Sequence, residues 1–185
     1  MAKEIEAKIK VADLEAVRTR LLQLGAVDEG VSFERNWVLD NETNSLRSGG
    51  VLLRVRSHGD VGGILTVKRK AEGGAFKTRE EVESMVDSTD DLLQQLEMVG
   101  FTIRWIYEKR RRTMVWHDCV LALDELPEIG SYIEIEGSPK HIREVIAQLG
   151  LSPDDHIDDN YLGLWQKHLD SRGEPPRHMT FAHQQ

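Results

Sequence analysis

Charged residues recur two apart along this chain, and within most stretches they are sorted by sign. In the N-terminal EIEAKIKV, Glu4, Glu6, Lys8 and Lys10 alternate with Ile5, Ala7, Ile9 and Val11. VLLRVR carries Arg54 and Arg56 against Val51, Leu53 and Val55, and ILTVKRK carries Lys68 and Lys70 with Thr66. KTREEVE aligns Lys77, Arg79, Glu81 and Glu83, and the stretch ending IYEKRRR aligns Lys109 and Arg111. YIEIE aligns Glu134 and Glu136 shortly after Asp124. Side chains of an extended chain alternate between two faces, so each set shares one face.

For any single strand, a solvated charged face over an apolar one is the ordinary explanation. Repetition argues for more, because like charges on neighbouring positions of a sheet repel and destabilise it. A ligand that supplies the counter-charge removes that cost. If the sheet closes on itself, the charged faces line its interior and the apolar faces turn outward beneath helices. Rows of Arg and Lys grip phosphate oxygens, and clustered carboxylates hold a hard divalent cation through oxygen. Together they read as a site for a metal-bound polyphosphate.

The elements that must position these residues are legible as well. Helices are expected near Asp13–Leu24, Asp90–Val99 and Pro139–Leu149, each with an apolar stripe and each closing on a glycine, Gly25, Gly100 or Gly150. Asp13 is the expected N-cap of the first. Their tails LQLGA, LEMVGF and AQLGL form a weak internal echo, suggesting two related halves plus a terminal helix. A further helix is expected over Tyr161–Leu169. Between the helices the chain reads as strands broken at Ser48-Gly49-Gly50, Gly59–Gly63, Gly73-Gly74 and Pro127–Gly130. The fold class is therefore α+β and rich in antiparallel sheet. Residues 1–170 form one domain, and residues 171–185, with Gly173, Pro175 and Pro176 and no periodicity, read as a mobile tail.

Composition narrows the function. Hydrophobic residues at 39% and charged residues at 30% fit a globular protein, and no apolar run approaches the ~20 residues of a membrane-spanning helix. The N-terminus lacks the apolar core of a secretory signal, so a cytoplasmic protein is expected. A net charge of −8 argues against nucleic-acid coating. More than half of the 24 basic residues nevertheless fall between Arg47 and Arg112, which points to a local anion site. The single cysteine, Cys119, excludes an internal disulfide and reads as a small buried residue; with His117 nearby it makes no zinc site. No glycine-loop phosphate motif is present. Arg110 and Arg112 are expected on the solvated face, and the tryptophans read as packing residues, with Trp37 the one to watch.

These residues carry a resemblance. Glu4-Ile-Glu6-Ala-Lys8 matches the ExExK signature of the CYTH superfamily, the triphosphate tunnel metalloenzymes, which includes class IV adenylyl cyclases and thiamine triphosphatase. LLRVR, LTVKRK, Arg79–Glu83, the basic run from Lys109 and LDELPEIGSYIEIE from Leu123 follow in the family order, over about residues 3–168. The helix ending LEMVGF and the basic strand after it look most like the cyclase branch.

The resemblance implies a closed antiparallel eight-stranded β-barrel, a tunnel open at both ends with helices packed outside. It implies a triphosphate such as ATP or tripolyphosphate, bound with Mg²⁺ or Mn²⁺. Carried over position by position, Lys8, Arg54, Arg56, Lys68, Lys70, Arg79, Lys109 and Arg111 contact phosphates. Glu4, Glu6, Asp124, Glu134 and Glu136 hold metal, supported by Glu81 and Glu83, and Lys8, Glu6 and Glu136 form the catalytic set. One departure stands out: Val38 occupies the place where many members carry a tyrosine, which in the thiamine triphosphatase branch is thought to activate water with the signature lysine, and this points away from thiamine triphosphate. The leading expectation is cyclisation of ATP to cyclic AMP and pyrophosphate. The alternatives are hydrolysis of inorganic, nucleoside or thiamine triphosphate, and triphosphate binding without turnover. Neither a membrane nor a nucleic-acid partner is expected, and a homodimer is compatible with the sequence.

Overall fold

The computed structural model describes residues 2–57, 62–71 and 76–182. The strands are β1 (Ala2–Val11), β2 (Val27–Asp40), β3 (Val51–Ser57), β4 (Gly63–Lys70), β5 (Lys77–Val86), β6 (Thr102–Trp116), β7 (Cys119–Leu126) and β8 (Gly130–Glu136). They close into an antiparallel barrel in the order β1-β5-β4-β3-β2-β6-β7-β8, so the sheet has no open edge. The helices are α1 (Leu14–Gln23), α2 (Ser45–Ser48), α3 (Thr89–Met98), α4 (Pro139–Gln148) and α5 (Tyr161–Arg172). Among the described residues none is long and apolar enough to cross a membrane.

The alternating strands dictate this arrangement, since each turns one apolar face outward that only a helix can cover. α1 and α4 cover the outer face of β1, β7 and β8, burying Leu21, Ile142, Val145 and Ile146 against Ile9, Leu121, Ile133 and Ile135. α3 lays Leu92, Leu93 and Leu96 over Leu39, Leu53 and Val55. The three helix endings take the expected form: Gly25, Gly100 and Gly150 adopt φ of 89°, 93° and 68°, a left-handed backbone that glycine enters without a Cβ clash. Asp13 caps α1 by accepting from the amides of Glu15 and Ala16. The weak echo marks two strand–helix–strand units, β1-α1-β2 and β5-α3-β6, in which β1 pairs with β5 and β2 with β6.

Two expectations are corrected. The Ser48-Gly49-Gly50 break is preceded by a turn of helix, α2, because the Asp40 carboxylate accepts from the amides of Leu46 and Arg47. The chain beyond residue 171 is docked through Ala182, where the description ends. α5 runs to Arg172, and Met179 is fully buried beside Trp165 and Leu169. Met179 also exchanges backbone hydrogen bonds with Ile106 and Glu108, satisfying a part of β6 that extends past the end of β7. The turns expected at Gly59 and at Gly73-Gly74 lie outside the described residues.

Candidate active site

Strand register brings the charged faces together inside the barrel. Glu6 on β1 lies opposite Lys77 on β5 and Glu136 on β8, and Lys8 lies opposite Glu134. Lys68 faces Glu81, and Thr66 stands between Arg54 and Glu83. Lys109 faces Glu34, and Arg111 faces Asp124. Charges sorted by sign along each strand thus meet opposite charges across most strand pairs, with Glu6–Glu136 and Lys70–Arg79 as like-sign exceptions. Opposite-sign neighbours stabilise a sheet where like-sign ones would not. The register therefore supplies part of the compensation that the sequence reading assigned to a ligand.

The resulting ion pairs are short. Lys68 donates to both oxygens of Glu4 at 2.8 Å and lies 3.0 Å from Glu81. Lys77 donates to Glu6 at 2.5 Å, and Lys8 is 3.2 Å from Glu134. Arg111 grips Asp124 through Nε at 2.7 Å and Nη2 at 2.5 Å, and reaches Glu134 as well. Glu34 lies 3.3 Å from Arg56 and 3.4 Å from Lys109. Arg54 donates to the Tyr107 hydroxyl and to Thr66, both at 3.2 Å.

These groups line a cavity of about 600 Å³. It extends from Glu4, Glu83 and Glu136, toward one end of the barrel, to Asp40, Leu52 and Trp105 at the other. All the expected site residues reach it except two. Lys70 is exposed at the last position of β4 and does not line the cavity, because its strand has run past the enclosed section. Asp124, expected to hold metal, has no accessible surface and lies behind the lining, where Arg111, Lys109 and Tyr161 use its oxygens. It anchors the cations. Trp37 faces outward and packs with the cluster under α3, whereas Trp105 lines the cavity.

Sequence reasoning placed Lys77 on the charged face without assigning it to the site, and it missed Glu34, Tyr107 and Tyr161. Glu34 shares its strand face with Ser32 and Asn36, so no sorted pair signals it. Tyr107 precedes the basic run by two residues, and that spacing alone places it on the same face as Lys109. Tyr161 comes from α5, which no strand periodicity can reveal. Its hydroxyl donates to Asp124 at 2.8 Å.

The electrostatics follow from burial and these partners. Burial works against ionisation of Glu34, but Lys109, Arg111, Arg56 and Arg54 outweigh it and hold the carboxyl down at about 2. Burial is likewise the largest influence on Glu134, where Lys8, Arg111 and Lys109 reverse it and keep the group ionised. At Glu81 and Glu136 the balance inverts. Burial pushes Glu81 up to about 7 against the pull of Lys68, with Glu4 adding to the rise, and burial together with Glu4 raises Glu136. Burial and the neighbouring Lys8 lower the Lys77 ammonium. Groups of one type driven apart in this way are a mark of functional sites.

Oxygen donors suited to a hard divalent cation share one cavity in Glu4, Glu6, Glu81, Glu134 and Glu136. Among the described residues no three metal-binding side chains converge on one point. The reason is visible in the pairing, since Glu4, Glu6 and Glu134 each hold a lysine or arginine. The donor chemistry fits a hard divalent cation.

Comparison with known proteins agrees with this architecture. The CYTH domain model matches residues 2–161. A protein of Methanocaldococcus jannaschii, provisionally named an adenylate cyclase, is 26% identical over 178 residues, covering 87% of this chain and 97% of the relative. A solved structure from Pyrococcus horikoshii superposes with a TM-score of 0.75 at 23% identity, covering 87% of this chain and 98% of that one. An adenylyl cyclase homologue from Hippeastrum, whose structure is described as revealing a dominant triphosphatase activity, superposes at 0.68 with 17% identity, over 94% and 97% of the two chains.

Proposed function

Because the chain belongs to the CYTH domain family, we propose that it is a divalent-metal-dependent enzyme that takes an organic triphosphate into the barrel and hydrolyses its terminal phosphate. The observation that carries this reading is the polarity of the cavity. At one end Val38, Leu52, Trp105 and Leu162 add apolar surface beside the charged side chains of Asp40, Arg47 and Arg104. At the other end stand Glu4, Glu83 and Glu136. An inorganic triphosphate has no use for the apolar part, whereas a nucleoside or similar group does. With that group at the apolar end, the phosphates run along Lys8, Arg54, Lys68, Lys109, Arg111 and Arg56, and the terminal phosphorus comes to rest near Glu136.

In this register the chain's residues divide the work. The lysines and arginines neutralise phosphate oxygens and stabilise the charge that gathers on the leaving diphosphate. Arg79 lines the same wall. Glu136, whose carboxyl is raised, accepts the proton of the attacking water as the new oxygen–phosphorus bond forms and the bridging bond breaks. Glu6 and Glu134, released from Lys77 and Lys8, would hold Mg²⁺ or Mn²⁺ with Glu4 and with Glu81 and Glu83 in support. A divalent cation held there supplies Lewis acidity toward phosphoryl oxygens. The described triphosphatase activity of the Hippeastrum homologue supports the same direction.

Cyclisation of ATP is the second reading, favoured by the cyclase-branch resemblance and by the provisional name of the archaeal relative. It needs the opposite register, with the α-phosphorus near Glu136 and the nucleoside at the carboxylate end. Incubation with ATP and with tripolyphosphate in Mg²⁺ or Mn²⁺ separates the readings by product. Orthophosphate with ADP supports hydrolysis, cyclic AMP with pyrophosphate replaces it by cyclisation, and the absence of any product leaves only binding.

A further inference from the structure

Lys8 and Lys109 come from strands that do not pair with each other, yet their ammonium groups sit over the same aromatic ring. Lys8 Nζ is 4.5 Å and Lys109 Nζ 5.6 Å from the centroid of Tyr161. Both lysines are almost completely buried. Lys8 also donates to the backbone carbonyl of Asp159 at 3.0 Å, and Lys109 lies 3.2 Å from the carboxylate that accepts the Tyr161 hydroxyl. The entry to α5 thus touches both lysines and the carboxylate that pairs with Lys109. Asn160 fixes that turn by capping the amide of Gly163, and Tyr132 packs edge-on to Tyr161 at 5.4 Å between centroids.

Lysine stems are flexible, so an ammonium group that must meet a ligand needs fixed surroundings beyond its ion pairs. The negative faces of an aromatic ring attract both ammonium groups without neutralising either. Lys8 also pairs with Glu134 and Lys109 with Asp124, and the ring adds its attraction to theirs without adding a further full negative charge to compete with an anion. We propose that Tyr161 is a positioning residue, its ring holding both Lys8 and Lys109 as anchors for the triphosphate. The inference rests on the triphosphate reading for its ligand, but the geometry it invokes can be measured without one.

The test uses the full chain, with inorganic tripolyphosphate as the titrant in calorimetry. Tyr161→Phe keeps the ring and loses the bond to Asp124, so affinity falls by only about two- to threefold. Tyr161→Leu removes the ring and weakens binding by about tenfold or more. Equal losses in the two variants, or a Tyr161→Leu affinity within twofold of the parent, overturn the proposal. The ε-methylene protons of Lys8 in the unsubstituted protein provide a second reading that survives a failure of the leucine variant to fold. They are expected upfield from the ring current of Tyr161, and ordinary shifts overturn the proposal. If the parent protein does not bind tripolyphosphate, the triphosphate reading falls, and the ring-current shift alone decides whether Tyr161 holds Lys8.

Discussion

Asp124→Asn tests the charge balance of the barrel with almost no change of shape. Asp124 is fully buried and accepts from Arg111 twice, from Lys109 and from Tyr161. The amide keeps the volume but removes the charge, leaving the Lys109 ammonium and the Arg111 guanidinium short of a partner inside the wall. Removing one member of a buried ion pair costs about 3–5 kcal/mol. At roughly 2–4 °C per kcal/mol for a domain of this size, melting falls by on the order of 10 °C. Chemical denaturation of the ligand-free variant measures the loss. Repeating it with tripolyphosphate separates charge from packing, because a bound anion replaces the missing negative charge. The variant should then gain more stability from the ligand than the parent does. A loss below about 1 kcal/mol, the range of exposed pairs, or a gap that the anion leaves unchanged, would refute the reasoning.

Other outcomes can be checked alongside. The Glu81 carboxyl carbon should titrate near pH 7 in the ligand-free protein by NMR, and Lys68→Met should move it higher, since Lys68 is the group that opposes the rise. The sign for stability follows: an acid raised by folding contributes stability that is complete below the ordinary carboxylate range and is lost as pH climbs through about 7. Glu81→Gln should flatten that part of the denaturation-against-pH curve. Ile146→Ala, at a fully buried contact between α4 and the barrel, should cost about 2–5 kcal/mol in denaturant while leaving tripolyphosphate affinity unchanged. Met179→Asp should release the C-terminal segment and open the chain beyond Gly173 to limited proteolysis, which the parent is expected to resist.

Much of the barrel is written in alternation. Glu4, Glu6 and Lys8 against Ile5, Ala7 and Ile9 state which face is which, and the glycine-stopped helices state what covers the apolar side. What alternation leaves open is register. Nothing in KTREEVE says that Lys77 will meet Glu6, yet this pairing, with Lys68 on Glu4, makes the ligand-free interior self-compensating. The same limit explains Lys70 and Asp124, which share the right faces but stand at the rim and behind the lining. Glu34 is silent because its neighbours on the face are uncharged. Tyr161 is silent because a helical residue far along the chain enters a wall that strand patterns describe without it. The docked tail was illegible for a simpler reason: the contacts that hold it, through Met179, Arg177, His178 and Phe181, follow no repeating pattern.

A crystal soaked with a non-hydrolysable nucleoside triphosphate and Mg²⁺ tests the central claim most directly. The account requires the phosphates inside the barrel against Arg54, Lys68, Lys109 and Arg111, the terminal phosphorus nearest Glu136 and the nucleoside beside Trp105. Phosphates seated on the outer surface, with the interior ion pairs of Lys68 and Lys77 unbroken, would contradict it.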